Sequence, residues 1–191
     1  TFHNAMHGGR LDWNVANHSA LIQYYQNFIQ EHPTITRAYL YLLDNLIDDG
    51  RLDEATKVLE RRRKVIQDCF NDFYRLLIHE SSNGFQATRK EYDMYLEVNH
   101  EWQAYFLVAG RYASHGEYEE AISLFGKSFE LQPKPRYIDQ LESIAQLYLR
   151  MHQKNEAKHA YKRELQLLKE EWHQDDSADV QRVKALLTKC N

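Results

Sequence analysis

Residues 102–133 read WQAYFLVAGRYASHGEYEEAISLFGKSFELQP. Tyr105, Val108, Ala109 and Tyr112 recur at the three- and four-residue spacing of an amphipathic helix, as do Tyr118, Ala121 and Phe125 after the break at His115 and Gly116. Pro133 and Pro135 then stop the second helix. The stretch therefore predicts two helices joined by a tight turn, in which small Ala109 and Ala121 let the helices approach and large Tyr112 and Phe125 fill the space beside them.

Outward from this unit the same arrangement repeats. Residues 36–66 place Tyr39, Leu42, Leu43 and Leu46 before Gly50, and Leu52, Ala55, Val58, Leu59 and Ile66 after it. Residues 68–98 are divided at Ser81 to Gly84, and 137–170 near His152. Gly50, Gly84, Gly116 and His152 are spaced 34, 32 and 36 residues apart, a period that signals an array of helical hairpins rather than a four-helix bundle. A left-handed glycine at Gly50 would close one helix, and Asp53 and Glu54 suit the N-terminus of the next. Upstream, Leu21, Tyr24, Tyr25, Phe28 and Ile29 predict one apolar stripe on a helix from Val15 that ends at Pro33, and SADVQRVKALLTK from Ser177 predicts a terminal helix with Ser177 as its N-cap.

In these positions the chain resembles the tetratricopeptide repeat family over about 15–170. The 102–135 unit carries Tyr105, Val108, Ala109, Tyr112, Gly116, Tyr118, Ala121, Phe125 and Pro133 at the family's characteristic positions, with Ser128 at a small one. The 36–66 unit departs at Leu43 and at Arg62, which stands at the late small position, and the 137–170 unit has His152 where the family has Gly. The resemblance implies an all-α, right-handed α-solenoid of antiparallel hairpins at about 36–66, 68–98, 102–132 and 137–170, with a C-terminal capping helix at about 177–189. Residues 1–14 are expected to be an extension or a domain junction, and Thr1 at the start makes a larger parent protein an expectation.

Composition sets the function classes. With 24 basic and 28 acidic residues the formal charge is −4, which gives no electrostatic footprint for nucleic acid. There is neither an apolar run long enough to span a membrane nor a basic start followed by an apolar segment. Two cysteines, Cys69 and Cys190, read as free thiols of a reducing compartment, so a cytoplasmic location is expected.

No catalytic constellation is expected, and no cofactor. His3 and His7 have helical metal-ligand spacing, but Gly8 and Gly9 follow and no acid completes a zinc motif. His152 and His159 read as surface histidines. Asp48–Asp49 and Asp175–Asp176 read as solvated acids at helix ends. Cys69, downstream of Arg61, Arg62, Arg63 and Lys64, reads as a buried structural thiol. That basic run could meet phosphate or an acidic peptide, yet Asp53, Glu54 and Glu60 nearby favour a solvated face.

Binding is the better class. What the resemblance implies is a concave groove lined by first helices, here Arg37, Leu40, Asp44, Ile47 and Asp48, then Trp102, Gln103, Phe106, Gly110 and Ser114, then Asp139, Glu142, Gln146 and Arg150. Leu40, Asp44, Phe106 and Gly110 argue against the Lys, Asn and Arg clamp that the family's chaperone-tail binders use for a C-terminal carboxylate. The expected role is a protein–protein interaction or scaffold module holding a protein or peptide segment, with Trp102 and Phe106 as aromatic anchors. The alternatives are an accessory C-terminal repeat region of a larger bacterial enzyme such as a glycosyltransferase, the sensor domain of a peptide-responsive regulator, and packing against an upstream domain or a second copy. Of the two glycines inside predicted helices, Gly110 is expected to face the groove and Gly126 to mark a close packing contact.

Overall fold

A computed structural model describes residues 18–190, which form ten α-helices and no strand. They are α1 (His18–Glu31), α2 (Thr36–Asp48), α3 (Leu52–Arg63), α4 (Cys69–Asn83), α5 (Phe85–Val98), α6 (Trp102–Ser114), α7 (Tyr118–Leu131), α8 (Asp139–Arg150), α9 (Lys154–Glu170) and α10 (Ala178–Thr188). The helix start expected at Val15, the His3 and His7 pair and the extension at residues 1–14 lie outside the described residues.

The turn chemistry is the local cause of the repeat. At Gly50 (φ 73°) the amide of Arg51 donates to the Leu46 carbonyl at 2.8 Å and that of Gly50 to Ile47 at 3.0 Å. This is the Schellman closure, which satisfies two carbonyls orphaned at a helix end and requires a left-handed residue. Gly116 (φ 83°) repeats it, with Glu117 N to Tyr112 O at 3.1 Å. His152 (φ 59°) repeats it again, with Gln153 N to Tyr148 O at 2.8 Å, so a non-glycine residue takes the strained conformation. The second hairpin turns differently: Gly84 (φ 84°, ψ 159°) ends α4 and directly precedes α5.

The described residues divide into two compact units, 18–99 and 100–190. In the first, α1 packs on α2, and α2, α3, α4 and α5 pack in succession, with α2 also touching α4. Its fully buried apolar residues include Tyr39, Leu43, Leu46, Ala55, Leu76 and Tyr92. In α1 the buried positions are Ile29 and Ile22, the latter outside the expected stripe, whereas Tyr24 of that stripe is 58% exposed, so the buried face is shifted from the one the sequence suggests. In the second unit α6 to α10 also pack in order. Ala145, Ala157 and Tyr161 form one core with Val180 and Val183 of α10, whose N-cap Ser177 Oγ accepts from Val180 N at 3.2 Å. Each large apolar side chain buried in this way contributes about 1.5–3 kcal/mol.

A polar knot fixes the α7–α8 connection. Arg136 donates to Glu171 through its amide at 2.8 Å and its guanidinium at 2.5 Å, and stacks over Phe129 at 4.3 Å. Trp172 Nε1 donates to the Arg136 carbonyl at 2.6 Å. The Arg136 side chain holds the Glu171 carboxyl below its ordinary range.

Candidate functional site

The first-helix residues expected to line a groove fall into two sets, one in each unit. On α2, Arg37 and Asp48 are exposed and Leu40 and Ile47 half-buried. Asp44 is structural, since it accepts the Tyr74 hydroxyl at 2.6 Å and so ties α2 to α4. Burial and then the Asp44 carboxylate push the Tyr74 hydroxyl well above its ordinary range.

On α6 the structure corrects the expected anchors. Phe106 is only 3% exposed and meets Phe125 edge-on at 5.4 Å, because it belongs to the contact between the two helices of its hairpin. Gly110 is buried too, so it leaves no open approach at the surface. Trp102 is half-buried, with its ring 5.7 Å from Tyr137 and its carbonyl accepting from Ser128 Oγ at 2.8 Å. Gln103 is half-buried and Ser114 exposed, the latter donating to the Arg111 carbonyl at 2.8 Å.

On α8, Gln146 and Arg150 are exposed, but Glu142 is engaged. Its Oε1 lies 2.7 Å from Arg182 Nη1 of α10. Arg182 also approaches Glu164 of α9 at 3.4 Å and Asp179 at 3.7 Å. Glu164 is fully buried, and its Oε2 has no hydrogen-bond partner among the described residues. Burial raises its pKa from 4.5 to about 8; the Glu142 charge adds to the effect and Arg182 opposes it. Burial likewise raises Asp139. Sequence reasoning missed Glu164, although a signal was there: it stands on the apolar stripe Ala157, Ala160, Tyr161, Leu167 and Leu168.

Two other expectations change. Arg62 is 2% exposed and holds Asp68 in a bidentate pair at 2.7 and 2.6 Å and Asn71 at 2.5 Å, so the basic run on α3 is not a uniformly solvated face. Arg63 pairs with Asp72 at 2.9 Å. Gly126 is not a close contact, since a methyl group there would meet nothing within 4 Å. Cys69 and Cys190 are both buried and outside any disulfide among the described residues. Asp48–Asp49 and Asp175–Asp176 are exposed beside helix ends.

No protein-family model matches the sequence, and no curated protein matches it. Solved structures do match. TTC0263, a thermophilic TPR protein of Thermus thermophilus, is similar at 14% identity and a TM-score of 0.58, over 100% of this chain and 98% of that one. MamA protein is similar at 19% identity and 0.52, over 82% and 85%. The APC/C hetero-tetramer Cut9-Hcn1 is similar at 14% and 0.51, over 92% of this chain and 34% of that one. The chain thus has the all-helical fold of tetratricopeptide repeats, in agreement with the resemblance read from its sequence. No helix among the described residues is long and apolar enough to cross a membrane.

Proposed function

We propose that the chain is a protein-recognition module in which the first helices of each unit, taken by itself, offer exposed residues to a partner protein. The observation that carries this reading is the set of first-helix residues that the fold leaves uncovered: Arg37 and Asp48 on α2, Ser114 on α6, and Gln146 and Arg150 on α8. Charged and amide groups of this kind supply hydrogen-bonded register and on-rate, while half-buried Leu40, Ile47 and Gln103 beside them supply contact area. No aromatic anchor at Phe106 is required.

The test is affinity capture from an extract of the source organism, comparing the wild-type chain with Arg37→Glu/Asp48→Lys and with Gln146→Glu/Arg150→Glu. All four positions are exposed, so helicity and thermal midpoint should be preserved. Loss of the same captured proteins by either double variant supports the reading. Identical capture by all three refutes it, as does capture of an upstream part of the same polypeptide alone, which would make these helices an intramolecular docking face.

A further inference from the structure

A second face of α2 carries a different chemistry. Between α1, α2 and α3 lies a cleft of about 420 Å³. Its floor is apolar, made by Ile29, Tyr39, Leu42 and Val58. Tyr39 and Leu42 stand on the side of α2 opposite Leu40, Asp44 and Ile47 by helical spacing, so this is a separate site from the one proposed above.

The charge in the cleft has one sign once pairing is followed. Three charged residues line it: Glu54, Lys57 and Arg61. Glu54 is taken by Arg51, which donates to both carboxylate oxygens at 2.7 and 2.8 Å. That hydrogen-bonded partner also draws the Glu54 carboxyl below its ordinary range. Lys57 and Arg61 are one helical turn apart on α3 and both exposed. Among the described residues Arg61 donates once, to the Ile29 carbonyl at 3.2 Å, and stands 5.8 Å over the Tyr39 ring, which leaves most of its five donors for a ligand. Gln26 and Gln30 of α1 complete the wall with amides that can donate or accept. Of the basic run on α3, Arg62 and Arg63 are already spent on Asp68 and Asp72, so Arg61 with Lys57 is what this helix offers a ligand here.

From this geometry we infer that the α1–α2–α3 cleft docks an acidic segment of a partner protein, one in which carboxylates alternate with aliphatic side chains. The carboxylates meet Lys57 and Arg61, the amides of Gln26 and Gln30 take the segment's backbone, and the aliphatic groups cover Ile29 and Val58. Charge complementarity decides the chemistry, since two cations sit over an apolar floor whose one acid is already neutralised. The inference rests on the reading of the chain as a protein-recognition module, and it adds a second site to it.

The experiment is fluorescence anisotropy on the full chain with three labelled probes: a decapeptide of alternating Glu and Leu, its counterpart with Gln for Glu, and a ten-residue oligothymidylate. The acidic peptide should bind at least about tenfold more tightly than the Gln peptide and weaken as salt rises from about 50 to about 300 mM, as screening requires. Lys57→Glu alone, and Lys57→Glu/Arg61→Glu, should each lose most of that preference. Lys57 is exposed, so the single variant keeps its fold whatever the loss of the Arg61 bond does to the double one. Lys90→Glu, exposed on α5 and outside both proposed sites, should bind the acidic peptide as the wild type does. Equal binding of the Glu and Gln peptides, an absence of binding, indifference to Lys57→Glu, or equally tight binding of the oligothymidylate would each overturn the assignment. Failure of the first-helix reading shows instead in the Arg37, Asp48, Gln146 and Arg150 variants, so the two readings fail separately.

Discussion

Glu164→Gln should make the chain more stable at neutral and alkaline pH, and the gain should grow with pH. Glu164 is fully buried in α9 beneath α10, with Arg182 at 3.4 Å, Glu142 and Asp139 on α8, Asp179 on α10 and Tyr161 on its own helix as the other titratable or charged neighbours. Its pKa is raised from 4.5 to about 8. A carboxyl with a raised folded-state pKa keeps its proton in the folded chain and loses it in the unfolded one, so its contribution to stability is complete below 4.5 and is lost as pH rises through 8. In that window the unfolded state binds about one proton fewer, and stability falls by about 1.4 kcal/mol per pH unit. From about pH 5.5 to about pH 7.5 the loss is about 2–3 kcal/mol, and over the whole window about 5 kcal/mol.

The Gln amide is nearly isosteric with the protonated carboxyl and does not titrate, so the variant should track the wild type near pH 5 and exceed it above. For a chain of this length, about 2–3 kcal/mol corresponds to about 5–10 °C in thermal midpoint. Thermal unfolding followed by circular dichroism at half-unit steps from about pH 5 to about pH 9 reads the difference directly, because every other titrating group is shared by the two proteins. Parallel profiles for wild type and Glu164→Gln would refute the reasoning. They would mean that water reaches Oε2 or that α10 leaves α9 without cost.

Three further substitutions follow from particular contacts. Arg62→Ala strips a buried guanidinium from Asp68 and Asn71; with Asp68 a quarter exposed, the loss should fall at the low end of the range for broken buried pairs, about 3 kcal/mol, read by urea denaturation. Gly126→Ala should stabilise by about 1 kcal/mol, since a methyl group meets nothing within 4 Å and the helix gains propensity; an unchanged or lower thermal midpoint would show that backbone freedom there is needed. His152→Gly should raise stability by about 1 kcal/mol by removing a left-handed conformation from a residue with a Cβ, and a loss would mean that the imidazole itself holds the α8–α9 turn.

Turns are more legible in the sequence than faces. Gly50, Gly84 and Gly116 announce their positive φ because no other residue adopts it cheaply, and the repeat period alone assigns His152 the same role, which its φ of 59° bears out. The side of each helix that stays exposed is harder to read. A hairpin helix packed by neighbours on more than one side carries a wide apolar stripe, and a 3.6-residue period cannot say which edge of the stripe meets solvent. Phe106 and Tyr24 both belong to such a stripe; one is 3% and the other 58% exposed. Arg62 is illegible for another reason. Its charge reads as surface until Asp68 and Asn71, six and nine residues on, are brought to it by the bend between α3 and α4.

One repeat position ties these cases together. The eleventh residue of each hairpin's second helix is Arg62 in α3, Tyr95 in α5, Ser128 in α7 and Glu164 in α9. All four are buried and carry a polar group, and two of them, Arg62 and Ser128, stand where the resemblance places a small residue. Each spends its polar group on another helix. Arg62 reaches Asp68 and Asn71 at the start of α4, and Glu164 approaches Arg182 of α10. Tyr95 donates to the Cys69 carbonyl at 2.9 Å and Ser128 to that of Trp102 at 2.8 Å, in both cases the first residue of the hairpin's own first helix. Gln140 of α8 adds a bond to Ser128 Oγ at 3.1 Å, so a single hydroxyl joins α6, α7 and α8. A small apolar residue would let these helices close but would leave their spacing to side-chain volume alone. A buried polar group with defined partners favours a single register, because sliding one helix against another would cost those hydrogen bonds without full replacement by water, about 1–3 kcal/mol each. Tyr95 fixes the register within its own hairpin, whereas Arg62, Ser128 and Glu164 each also engage the helix that follows, and each does so with a different partner.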